Sequence, residues 1–244
     1  MKYMRDDIIA IVCPDIHGRT FWEEVSNVYD GSVPFIFLGD YLDPYPDEGI
    51  TNEDAVNNFK KLWKFKKKWG DNVIFLLGNH DLSYYNSKFR CSRYSGEVSE
   101  WYKKFLNKNW EHFKIAFGFD YKDVYYLFTH AGVNKNWIKR HDFEEILNAD
   151  YINSLFSANE NAFNDYGFYR GGYNTTGSPV WSDIREYVNQ TDKDSFNDNT
   201  FQIVGHTQLI KDKVEFKNIC CIDSRQVFVI TKDMVIEEYN KKED

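Results

Sequence analysis

Eight side chains in this 244-residue chain have the types and grouping to do chemistry: Asp15, His17, Asp40, Asp43, Asn79, His80, His130 and His206. They fall in five short motifs: Asp15-Ile16-His17, Gly39-Asp40-Tyr41-Leu42-Asp43, Gly78-Asn79-His80-Asp81, Thr129-His130-Ala131-Gly132 and Gly205-His206-Thr207. Four of the six histidines lie inside these motifs, and His112 and His141 lie outside them. Carboxylates, a carboxamide and imidazoles without a thiolate disfavour a structural zinc site. They suit Mn, Fe, Zn or Co in a hydrolytic centre. Asp15 and His17 are two residues apart, which in extended chain puts both on one side, within reach of one ion. One carboxylate can also bridge two ions about 3.5–4 Å apart. Gly39, Gly78 and Gly205 permit a sharp exit from a strand and a close backbone approach.

Each motif follows a short apolar run, and these runs read as strands. The spacing predicts strands at Asp7–Cys13, Pro34–Leu38 and Val73–Leu77, with β-rich segments near His112–Phe117 and Val124–Phe128. A later series covers Phe201–Val204, Ile219–Ile222, Val227–Ile230 and Met234–Glu238. Helices are expected at Thr20–Tyr29, Glu97–Leu106 and Asp142–Phe156. Another should run from a Thr51/Asp54 capping box to about Trp69, with Val56, Phe59 and Trp63 on its buried face. The basic run Lys64–Lys68 reads as a solvated last turn that complements the helix dipole. Strands alternating with helices, then strands in series, indicate an α/β protein with two sheets. In such folds ligands bind beyond the carboxyl ends of strands, where all five motifs lie.

Composition narrows the class. With 42% hydrophobic and 18% aromatic residues the chain can bury a large core. Residues 1–244 read as one domain, with a loop-rich insertion rich in Asn, Asp, Gly and Tyr at about 159–200. No apolar run approaches the roughly 18 residues of a membrane helix, and Met1–Asp7 lacks the pattern of a secretory signal. The four cysteines form no CxxC pair, which fits a reducing cytoplasm. A net charge of −8 weighs against a nucleic-acid partner.

Taken in order, the motifs resemble those of the calcineurin-like metallophosphoesterases. They are more similar still to the phosphoprotein phosphatase branch and its small bacterial and phage members. Pro14-Asp15-Ile16-His17-Gly18 stands where that branch reads GDxHG, and Gly39–Pro44 where it reads GDxxDRG. Gly78–Asp81 matches GNHE, His130-Ala131-Gly132 matches H(A/G)G, and Gly205-His206-Thr207 matches GHT. Val180-Trp181-Ser182 and Ile222-Asp223-Ser224 are also similar to family segments.

The resemblance implies a sandwich of two mixed β-sheets flanked by helices, in α-β-β-α layers. It implies that Asp15 and His17 hold a first divalent metal and that Asp40 bridges. Asn79, His130 and His206 would hold a second, with manganese foremost. It implies phosphomonoester hydrolysis by a dimetal-bridging hydroxide, with His80 as proton donor oriented by Asp43. Asp81 lies outside that metal set. The implied partner is a phosphorylated Ser or Thr on a protein, or a small phosphoester. A dinucleoside polyphosphate hydrolase is the alternative, and a non-catalytic scaffold of the same fold is a lesser one. The family's phosphate-binding arginines are absent at two positions, which hold Pro44 and Leu77. Arg185 and Arg170 are the candidates to replace them, since a guanidinium fork matches phosphate oxygens.

Overall fold

The computed structural model describes residues 4–188, 199–210 and 212–239. Its first sheet holds β1 (Ile8–Cys13), β2 (Phe35–Phe37), β3 (Val73–Leu76), β4 (Phe113–Lys114), β10 (Phe228–Thr231) and β11 (Ile236–Glu238). Their order is β11-β10-β1-β2-β3-β4, with β1 to β4 parallel and β10 and β11 antiparallel. The second sheet holds β5 (Ala116–Tyr121), β6 (Val124–Thr129), β7 (Thr200–Val204), β8 (Val214–Phe216) and β9 (Ile219–Cys221). Its order is β5-β6-β7-β9-β8, with β6, β7 and β9 parallel.

The two-residue period of a strand assigns its side chains to layers. Ala10, Val12, Ile36, Leu38, Ile74 and Leu76 from the first sheet join Tyr126, Phe128, Ile203 and Cys220 from the second in one buried cluster. The alternate residues Ile11, Cys13, Phe35, Phe37, Val73 and Phe75 pack with helical side chains in another. The inter-sheet cluster brings together the ends of the parallel strands of both sheets, and there the five motifs lie. The architecture is therefore the expected two mixed sheets with flanking helices.

The helices are α1 (Glu23–Ser26), α2 (Asn52–Trp69), α3 (Asn79–Tyr85), α4 (Gly96–Lys108), α5 (Lys135–Arg140), α6 (Ala149–Ala158) and α7 (Ile184–Val188). The capping box opens α2 as expected: Asp54 N–H donates to Thr51 Oγ1 and Thr51 N–H to Asp54 Oδ2, both at 3.0 Å. Its buried face is rotated from the expected one. Ala55, Phe59, Leu62 and Phe65 are buried, whereas Val56 and Trp63 are only partly so. Lys66 also departs from a solvated last turn. It is buried and donates to the carbonyls of Gly70 (3.0 Å) and Val73 (2.7 Å), satisfying chain that leaves the helix.

Two expected helices are shorter. Thr20–Tyr29 yields only the single turn of α1, which lacks a side-chain cap, although Trp22, Val25 and Tyr29 are buried at helical spacing. Asp142–Phe156 contributes only from Ala149 onward. Asp142 takes a left-handed φ of 53°, and Asn148 caps the helix by accepting from Tyr151 N–H at 2.7 Å. Part of the segment at 159–200 wraps the site through short turns and an isolated bridge between Gly167 and Asn174. Residues 189–198 of that segment lie outside the described residues.

Candidate metal centre and active site

Asp15 follows β1, Asp40 follows β2 and Asn79 follows β3, while His130 and His206 leave β6 and β7 of the other sheet. Hydrogen bonds then stitch the two sheets at this seam. Asp15 Oδ1 accepts from His206 N–H at 3.0 Å, and His130 Nδ1 donates to the Leu38 carbonyl at 2.8 Å. His17 Nδ1 likewise donates to the Leu42 carbonyl at 2.9 Å. A carbonyl can only accept, so these bonds fix the proton on Nδ1 of His17 and His130 and leave each Nε2 a lone pair.

Those lone pairs converge on acidic and amide oxygens. Asp40 Oδ2 lies 3.5 Å from Nε2 of both His17 and His130. His130 Nε2 lies 3.0 Å from Asn79 Oδ1 and 3.0 Å from His206 Nδ1, and its ring is 3.7 Å from Asp15 Oδ1. All six residues are at least nine-tenths buried. His130 Nε2 and Asn79 Oδ1 are both acceptors, and their 3.0 Å separation is repulsive unless a cation lies between them. Burial lowers the pKa of His17, His130 and His206, keeping the rings neutral as ligation requires, and it raises that of Asp40, with Asp15 and Asp81 adding to the rise. The donor set thus fits hard-to-borderline divalent metals: Asp15, Asp40, His130 and His206 bring ligand atoms together in one group and His17, Asp40 and His80 in another, with Asp15 Oδ2 also 3.9 Å from His17 Nε2.

The backbone is shaped for this convergence. His17, Asp40, Asp43 and His206 all have positive φ, between 44° and 64°. Non-glycine residues in this region persist where surrounding structure holds them, and they concentrate at functional sites. A Cβ on Gly78 would sit 2.1 Å from Asp40 Oδ1, and one on Gly205 would sit 2.3 Å from Asp15 Oδ1, so only glycine fits either position.

His80 sits beside the cluster rather than in its centre. Its backbone N–H donates to Asp40 Oδ1 at 2.9 Å. Its ring Nδ1 pairs with Asp43 Oδ2 at 2.7 Å, and the Tyr84 hydroxyl donates to Asp43 Oδ1. Burial opposes a charge on His80, but the carboxylates of Asp40 and Asp43 prevail and raise its pKa. The ring therefore holds a proton at Nδ1 and presents Nε2 to the cavity.

Asp81, from the same motif, turns away and holds the framework. Its carboxylate accepts from Asp40 N–H (2.7 Å), Gly78 N–H (2.9 Å), Tyr41 N–H (3.2 Å) and the Tyr102 hydroxyl (2.9 Å). It ties the Asp40 loop to the start of α3. An Asn here would turn an amide N–H₂ toward donors it cannot pair. We expect Asp81→Asn to cost about 2–3 kcal/mol, and thermal unfolding should read a midpoint lower by roughly 5–10 °C. An unchanged midpoint would remove Asp81 from this role.

A cavity of about 420 Å³ opens over the cluster. Asp15, His17, Asp40, Asn79, His80 and His206 line its floor, with Tyr45, Tyr166, Trp181 and three arginines, Arg90, Arg93 and Arg170, on its walls. Arg170 lines the cavity, held by Asp183 (3.0 Å) and donating to the His206 carbonyl (3.1 Å). Arg185 does not line the cavity. It grips Asp183 through Nε (2.7 Å) and Nη2 (2.9 Å) and is half-exposed over the Tyr169 ring.

Arg93 is the residue that sequence reading missed. Its Nε donates to the Asp43 carbonyl at 3.1 Å, and its guanidinium stacks 3.8 Å from the Tyr45 ring centre. Nη2 stands 3.4 Å from Nε2 of both His17 and His80. The only local signal is a basic pair, Arg90 and Arg93, in a polar stretch just after Asn79-His80.

Comparison with known proteins agrees with this geometry. The family model for calcineurin-like phosphoesterases matches residues 10–209. Serine/threonine-protein phosphatase PP1-delta of Caenorhabditis elegans is 33% identical over 76 residues, covering 29% of this chain and 22% of that relative. The match thus spans less than a quarter of the relative's length. A serine/threonine phosphatase of Saccharomyces cerevisiae with similarity to human PP5 superposes with a TM-score of 0.57 at 14% identity, over 98% of this chain and 81% of the other. A mutant cold-active protein tyrosine phosphatase gives 0.54 at 17% identity, over 97% and 83%. At such identities the two structures speak to the fold. With the family model covering both halves of the buried cluster, the chain belongs to the calcineurin-like phosphoesterase family.

Proposed function

We propose that the protein is a metal-dependent phosphomonoesterase acting on phosphorylated serine or threonine in proteins. We further propose that it works in the cytoplasm as one catalytic unit with an insertion at 159–200. Among the described residues no helix is long and apolar enough to cross a membrane. The observation that carries the reading is the buried meeting of Asp40, Asn79 and His130 acceptors, with His206 against His130, beside the His80–Asp43 pair.

In this reading Asp15, His17 and Asp40 hold one divalent ion, and Asp40, Asn79, His130 and His206 hold the second, with manganese the foremost choice. Divalent ions there supply Lewis acidity toward phosphate oxygens and a water of lowered pKa. The chain supplies the rest. Asp43 holds the His80 proton at Nδ1, so that Nε2 can donate to the departing ester oxygen, and Tyr84 fixes Asp43. Arg93 and Arg170 both line the cavity, and they clamp the phosphate from its walls. Arg93 thereby does the work of the arginine that Pro44 displaces.

The test is hydrolysis of a phosphoserine peptide with Mn²⁺, with a dinucleoside polyphosphate as the competing substrate. Preferential cleavage of the nucleotide would replace this reading with the nucleotide-directed one. Arg93→Ala and Arg170→Ala should each lower kcat/KM by roughly 30-fold or more, the cost of about 2 kcal/mol or above for removing one partner of a buried charged pair. Arg185→Ala should stay within about threefold. A larger loss at Arg185 than at Arg93 would reverse the assignment.

A further inference from the structure

A second cavity of about 350 Å³ adjoins the first and shares two of its wall residues, Arg90 and Cys91. Its other walls are Ser83, Ser87, Phe89 and Tyr94. It lies behind the His80–Asp43 pair: Cys91 Sγ is 3.8 Å from Asp43 Oδ2 and 3.1 Å from Ser83 Oγ, and Ser83 in turn donates to the His80 carbonyl. Tyr94 is 48% exposed, and its inner face stacks on Tyr84, the residue that fixes Asp43.

The position of the proton donor gives this cavity a meaning. His80 must stand on the side from which the alcohol departs. For a phosphorylated protein the departing alcohol carries the whole peptide, so the chain flanking the phosphoresidue leaves toward Cys91 and Arg90. The three wall arginines are not equivalent there. Arg93 is fixed by Tyr45 and the Asp43 carbonyl, and Arg170 by Asp183. Arg90 is exposed, and among the described residues no acidic side chain pairs with it. A cation at the junction of the two cavities complements a carboxylate.

Resting on the phosphatase reading, we propose that this second cavity is a subsite for the substrate chain, in which Arg90 selects phosphopeptides carrying an acidic residue beside the phosphoserine. Phe89 and Tyr94 line the cavity that receives the stem of that residue, and Arg90 takes its carboxylate at the rim.

The experiment compares three phosphoserine peptides that differ only in flanking residues, Asp, Ala or Lys, on the Mn²⁺-loaded protein, with p-nitrophenyl phosphate as a substrate that has no flanking chain. The readout is a ratio of kcat/KM values within each enzyme. Wild type should favour the Asp peptide over the Ala peptide roughly two- to fivefold, the range of an exposed charged pair. Arg90→Ala should bring that ratio to about one, and Arg90→Lys should retain part of it. Ser87→Trp, at an exposed wall position, should lower kcat/KM for the peptides relative to p-nitrophenyl phosphate by filling the cavity. No acidic preference in wild type, or a preference that survives Arg90→Ala, overturns the proposal. So does a stronger preference for nucleoside phosphates that is lost in Tyr94→Ala, which would make the cavity a base pocket. Absence of turnover on p-nitrophenyl phosphate would instead overturn the phosphatase reading beneath it.

Discussion

Asp40→Asn should leave a folded protein that has lost its divalent metal and nearly all of its turnover. The carboxylate stands 3.5 Å from the acceptor nitrogens of both His17 and His130, so in the proposed centre its charge serves both metal positions. Losing about 4 kcal/mol of charge stabilisation in the transition state is a factor of roughly 10³ in rate. The fold should survive, because the amide oxygen can still accept from His80 N–H, as Asp40 Oδ1 does at 2.9 Å. The metal-free variant should even match or exceed metal-free wild type in thermal stability. Burial and the nearby Asp15 make the carboxylate charge costly without a cation, and the substitution removes that cost. Asp81→Asn should do the reverse, lowering the unfolding midpoint while retaining metal. Metal analysis and calorimetry on the two variants check this pair. Equal metal content in Asp40→Asn and wild type would contradict the bridging assignment.

His80→Asn should separate substrates by the basicity of their leaving groups. Serine alkoxide leaves poorly and needs a proton, whereas p-nitrophenolate leaves almost unaided. The variant should lose about 10²–10⁴-fold in kcat on a phosphoserine peptide, with a much smaller loss on p-nitrophenyl phosphate. Metal content should hold, since Nδ1 of the ring is taken by Asp43 and the His80 backbone N–H, which the substitution keeps, bonds Asp40. Asp43→Asn should follow the same pattern more weakly. It leaves a side chain that can still accept from Nδ1 but removes the charge that favours the imidazolium. Loss of metal, or equal losses on both substrates, would make His80 a ligand or a packing residue instead.

Much of this was legible in the chain because strand period and strand-end chemistry are local. Asp15, Asp40, Asn79, His130 and His206 each follow a short apolar run, and parallel strands bring such ends together without further information. What was not legible depended on tertiary placement. The run Gly78–Asp81 reads as a strand exit, but Asn79 opens α3, since Asp81 reaches back to accept from Gly78 N–H. Asp81 looks like one more motif carboxylate, and its four donors come from three separate segments. Of the two arginines near Trp181 that the sequence offers for phosphate, Arg170 lines the cavity and Arg185 does not. Arg93 reaches the site only because its left-handed turn, φ 59°, and the Tyr45 ring aim it there. Such a contact has no spacing rule to announce it.

Stepwise addition of Mn²⁺ to chelator-stripped protein, with p-nitrophenyl phosphate hydrolysis followed at each step, tests the dimetal account most directly. No hydrolysis before addition and a break at two ions per chain is the expected result. Full activity in protein shown by metal analysis to hold no divalent ion would contradict it.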